Sequence, residues 1–164
     1  MEELHDMGKA FIQQARDHLK EDFLPKIRRC VEVLEEGDLW WRAHENNNSV
    51  GNLILHLNGN VRQWIVSGIG GAPDLRERSK EFCERNAIPK KDLLLTLEET
   101  VAQADQVLSS LSPLHLLEQR TIQGFRRTVL QAIFHVVEHF SFHTGQIIYI
   151  TKLRRGIDLK FYNL

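Results

Sequence analysis

The chain holds eight histidines, and three of them, His135, His139 and His143, are spaced four and four. In a helix each residue advances about 100°, so residues i and i+4 lie almost on one line. A histidine pair at that spacing can place two imidazole nitrogens on one divalent ion. His143 falls within an apolar stripe, where a polar ring is costly without a partner, and His139 lies at the stripe's edge. His135 and His143 would stand about 12 Å apart along the axis, too far to share an ion whose ligand atoms sit about 2 Å from it. His135 is therefore either a group supporting the site or a surface histidine, and the third ligand should come from another helix. His56 is the best candidate, because it borders the line of Leu53, Leu57 and Trp64. Asn52, Asn60 and Gln63 flank it on the same side, where their amides can hold the second nitrogen of a histidine or a bound water. Gln146 follows the pair by one turn, placed either to position a ligand or to pack beside Gly145.

Three neutral imidazoles and an open position form the pattern of a catalytic rather than a structural zinc site. Such an ion lowers the pKa of water toward about 7, or it accepts a thiolate. No general base is evident: Glu138 adjoins His139 but points away from the stripe, and His44 and Glu45 sit in a solvated loop. The sequence has no HExxH, no Gly-rich phosphate loop and no GxSxG elbow. A di-iron carboxylate bundle would need Glu-x-x-His on two helices, and only Glu2-Glu3-Leu4-His5 has that spacing.

Four long helical patterns must position these residues. The first spans about Glu3 to Glu36, kinked or split after Leu24 by Pro25 and stopped by Gly37-Asp38. A polar loop from Trp40 to Asn48 follows, in which the Trp40-Trp41 pair suits a loop anchor or a subunit contact. Ser49 is a good N-cap for a second helix reaching about Ile69. Residues 72–89 carry no sustained period and read as a long loop with at most one helical turn, whether a lid or not. The third helix, about Lys90 to Leu111, presents one apolar stripe from Leu94 to Leu111. A linker with Gly124 leads to the fourth helix, about Arg126 to Arg155, closed by Gly156. No strand is expected. Four amphipathic helices of this length define an all-α four-helix bundle, with at least one long crossover connection, in a single domain over residues 1–164.

At 164 residues, 42% hydrophobic and 26% charged, with 21 basic against 22 acidic side chains, the composition is that of an ordinary soluble chain. A net charge of −1 exerts no global pull toward nucleic acid or membrane. The acidic start shows no signal peptide, and no apolar run reaches the roughly 18 residues of a membrane span. Cys30 and Cys83 make no metal spacing and read as free thiols of a reducing cytoplasm.

Two stretches carry a resemblance. Ser49-Val50-Gly51-Asn52-Leu53-Ile54-Leu55-His56-Leu57 resembles the second-helix histidine segment of the DinB-like superfamily, and His139-Phe140-Ser141-Phe142-His143-Thr144-Gly145-Gln146-Ile147 resembles its fourth-helix signature, a histidine four residues before His-x-Gly-Gln. The Leu39-Trp40-Trp41-Arg42 loop and the order of four helices fit as well. The resemblance implies an up-down-down-up four-helix bundle, often dimeric, with a metal site made by His56, His139 and His143. It also implies zinc or nickel as the ion, and an activity of the metal-dependent hydrolase or low-molecular-weight-thiol transferase kind. Many members carry two adjacent histidines before the Gly-Gln turn. Phe142 stands in the first of those places here, and His135 is extra.

Overall fold

The computed structural model describes residues 2–85 and 88–161, without the side chains of Glu2 and Leu4. The Glu-x-x-His spacing at residues 2–5 and the last three residues of the tail therefore lie outside, wholly or in part. Helices α1 (Glu2–Asp17) and α2 (Leu24–Val33) are joined without interruption by a π-helical stretch, His18–Phe23. This is how the chain accommodates Pro25, which has no N–H and crowds the preceding turn. The Leu24 N–H bonds the Leu19 carbonyl five residues back, and the widened turn makes room for the proline ring. The helix ends at Val33 rather than at Gly37-Asp38. Leu34 is extended, and Gly37 and Asp38 belong to a short helix α3 (Glu36–Leu39). The turn between them lets Leu34 and Leu39 both be fully buried.

Ser49 caps α4 (Val50–Val61) as expected. Its hydroxyl accepts from the Asn52 N–H, and the Asn52 side chain accepts in return from the Ser49 N–H, closing a capping box. A second π-helical stretch, Arg62–Ser67, extends this helix. Within the long loop lies one short helix, α5 (Arg78–Cys83), followed by α6 (Lys90–Ser109) and a 3-10 turn, Pro113–His115.

The linker before the last helix departs from expectation. Gln119–Ile122 (β1) and Phe125–Thr128 (β2) pair as an antiparallel hairpin. Gln123 and Gly124 turn it with φ of 54° and 79°, the positive values a tight two-residue hairpin turn requires. Strands of four residues rich in arginine and glutamine are too short to show a period. They hold because Ile122 is buried against Gly68. Arg126 is consequently a strand residue, and α7 (Val129–Arg155) starts three residues later, capped by a Thr128–Gln131 box and closed by Gly156 at φ 61°.

The chain is mostly helical. α4 packs on α5, α6 and α7, while α2 lies along α7 and α1 along α6. The largest fully buried side chains include Ile27 of α2, Ile54 of α4, Leu97 of α6 and Ile133, Phe140 and Ile147 of α7. Cys30 is buried and Cys83 exposed, both free thiols. Among the described residues no helix is long and apolar enough to cross a membrane.

Candidate metal centre

The seam between α4 and α7 brings His56, His139 and His143 together, each offering a nitrogen within 4.8 Å of the other two. The Nε2 of His139 lies 3.0 Å from that of His56 and 3.2 Å from that of His143. Around a tetrahedral ion with bonds of about 2.0–2.1 Å, neighbouring nitrogens are about 3.3 Å apart, so the three donors already stand near ligating separation. Among the described residues no fourth His, Cys, Asp or Glu joins the group.

The protons on these rings are set by what the other nitrogens touch. His56 Nδ1 lies 2.8 Å from Glu81 Oε2 and 3.2 Å from Arg76 Nη2; the carboxylate is nearer and Arg76 Nη2 donates to it, so Nδ1 carries the proton and Nε2 the free lone pair. His143 Nδ1 lies 2.7 Å from Gln146 Oε1, with the same consequence. The buried Nδ1 of His139 has no protein partner. The donor set thus fits a divalent ion: two of the three rings are locked with Nε2 lone pairs turned inward.

Electrostatics favour the same state. Burial, reinforced by the neighbouring rings of His143 and His56, pushes the His139 pKa down to about 3. Burial also lowers His143, against the opposing hydrogen bond it donates to Gln146, and lowers His135. Neutral imidazoles are the form that binds metal. Burial by itself would raise Glu81, but hydrogen bonds from His56 and Arg76 outweigh it and hold the carboxyl below its ordinary range.

Glu81 and Arg76 could not be singled out from sequence, and they are the main addition of the structure. Both come from the 72–89 segment, which folds over α4 as a strap. Arg76 donates from Nε to Glu81 Oε1 at 2.6 Å and from Nη2 to Oε2 at 2.9 Å, a two-pronged pair in which both side chains are at most 10% exposed. The strap fits because residue 59 is glycine: a Cβ there would collide with Glu81 Oε1. Phe82 packs on the His56 ring at 4.7 Å.

The flanking amides do different work from one another. Asn52 ties its cap to the strap, donating to the Glu81 carbonyl at 2.8 Å. Gln63 donates to Asp74 and accepts from Arg76, so it reaches His56 only through the strap. Asn60 meets His135, with 3.3 Å between Nδ2 and Nε2, and His135 also lies against Trp64, one turn away from the triad. Glu138 is exposed. The tryptophan pair divides: Trp40 packs on Gly51, while Trp41 lies under the Arg154 guanidinium at the edge of a cleft.

A helical fold that closes a histidine triad between its second and last long helices is that of the DinB-like proteins. The crystal structure of a DinB-like protein from Bacillus cereus ATCC 10987 superposes with a TM-score of 0.68 at 15% identity, over 93% of this chain and 95% of that one, a likeness of fold. The chain belongs to the DinB-like family described as a protein of unknown function, DUF1572, whose profile matches residues 6–163. A comparison with curated proteins finds no match.

Proposed function

We propose that this protein is a metal-dependent enzyme of the hydrolase or low-molecular-weight-thiol transferase kind, with His56, His139 and His143 holding one zinc or nickel ion. The observation that carries the reading is the convergence of three Nε2 atoms with no fourth His, Cys, Asp or Glu in the group among the described residues. A bound ion would supply Lewis acidity and a coordination position open to a small molecule. Glu81 and Gln146 fix the ring orientations of His56 and His143. The Arg76 pair holds Glu81 ionised, and Gln63 steadies Arg76. Gln146, Asn60 and Gln63 line the approach or support the ligands around it. We take the bundle as up-down-down-up, one domain across 1–164, cytoplasmic, and paired with a second copy.

Elemental analysis of protein purified without an affinity metal column tests the site, beside a His139→Ala, His143→Ala double variant. The expected result is about one equivalent of zinc or nickel per chain in the parent and none in the variant. No metal in either, even after reconstitution, would remove the enzyme reading. Metal retained together with a large fall in melting temperature on chelation, and no ligand reaching the ion, would point to a structural ion instead.

A further inference from the structure

Beside the histidine triad, separated from it by Gln146 and Phe142, opens a cleft of about 570 Å³. Its position is fixed by the chain: Gln146 accepts from His143 on one side and lines the cleft on the other, and the Phe142 ring lies 5.2 Å from that of His143. Three flat aromatic groups face it, Trp41, Phe142 and Tyr149, with the amides of residues 46–48 at the rim. Trp41 is held in place from behind, since Arg154 stacks on it at 4.7 Å while donating to Asp38.

The chemistry of the wall is one-sided in charge. Arg42 lines the cleft, and no carboxylate does. Its Nη2 is fixed by two neutral acceptors, Asn52 Oδ1 at 2.5 Å and the Glu84 carbonyl at 2.9 Å. Its Nε is buried without a partner, and among the described residues Arg42 forms no ion pair. The guanidinium is held by neutral groups and meets no counter-charge, so an incoming anion would be its first charged partner. Burial and the like charge of Arg85 both disfavour the cation.

We propose that this cleft binds a small organic anion, a carboxylic acid with a flat apolar body, its carboxylate paired with Arg42 and its body laid against Trp41, Phe142 and Tyr149. Arg42 would meet the carboxylate through Nη1, since Nη2 already serves Asn52 and Glu84 and Nε is buried, and an aromatic wall beside a set of polar groups is a form that small-molecule sites take. Binding of the acid needs no metal. That its far end is presented to the histidines past Gln146 rests on the metal-enzyme reading above.

The test is calorimetric titration of the metal-free and the zinc-loaded full chain at neutral pH with 3-phenylpropionate and with its uncharged amide. The acid should bind both forms, at least about tenfold more tightly than the amide. Arg42→Gln should lose about tenfold or more while Arg42→Lys recovers part of it, because charge is kept and the fork is not. Tyr149 is 70% exposed, so Tyr149→Ala should weaken binding about threefold with an unchanged melting temperature, whatever becomes of Arg42→Gln as a folded protein. Equal affinity for acid and amide would overturn the role of Arg42. No binding of either up to about 10 mM would overturn the site, most plainly if Tyr149→Ala instead shifted a monomer–dimer equilibrium. Acid binding by a chain that takes up no metal on reconstitution would leave this inference standing, while the failure to take up metal would remove the enzyme reading alone.

Discussion

His56 and His143 end up with the same chemical support, an acceptor on Nδ1, by opposite routes. His143 receives it from Gln146, three residues along its own helix, so the contact follows from helix geometry alone. His56 receives it from Glu81, 25 residues away on a strap that must first fold over α4, bring Arg76 with it and pass the bare backbone of Gly59. One histidine is set by local structure and the other by tertiary structure. The first support is neutral and exposed, the second ionised and buried. The difference teaches that a triad of three histidines need not have three equivalent failure modes.

Glu81→Gln should do the most to sharpen this contrast. It replaces the ionised acceptor of His56 with a neutral amide and leaves the Arg76 charge buried without its counter-ion. Metal affinity should fall about 10–100-fold, and the metal-free protein should lose about 3–5 kcal/mol in a urea melt. Next in size is an effect of pH on the metal-free chain. Folded His139 stays neutral down to about 3, against an ordinary value of 6.5. Below 6.5 the unfolded chain takes up a proton that the folded chain refuses, so stability is full above that value and declines as pH falls toward 3. His139→Leu should flatten the dependence of the denaturation midpoint across that window, and an unchanged slope would show that His139 is not the group responsible. Gln146→Ala should cost less than about tenfold in metal affinity and under about 0.5 kcal/mol in stability. A loss as large as that of Glu81→Gln would erase the distinction between the two supports. The smallest effect is a control away from the seam. Asp105 accepts from Arg16 Nε at 2.6 Å, and this hydrogen bond holds its pKa below the ordinary 3.8. That contribution is present above the ordinary value and vanishes as pH falls through the lowered one. Asp105→Asn should cost about 1 kcal/mol and leave metal content unchanged.

The histidine triad was legible because its signals are local or nearly so. His139 and His143 are one helical turn apart, and His56 sits on a helix whose start is marked by Ser49. Gln146 could be placed for the same reason. Glu81 and Arg76 lie in a segment whose charges read as solvated, and nothing in their spacing says that a glycine on another helix leaves room for them. The hairpin at 119–128 escaped notice because four-residue strands have no measurable period, and its hold on the fold is a single isoleucine under Gly68. Pro25 announced an irregularity correctly, but a wider π turn, with the helix continuing, is a solution that depends on the surrounding packing rather than on the proline.

The bare backbone at residue 59 has a use beyond this chain. A Cβ at that place would press on Glu81 Oε1 and Arg76 Nε, so the carboxylate could meet His56 as it does here only after that pair shifted. In any relative that keeps the three histidines, the residue aligned with Gly59 is therefore a one-letter diagnostic. Glycine permits a strap-borne acid in this position, and anything larger requires the acid and its arginine to sit differently over the first histidine.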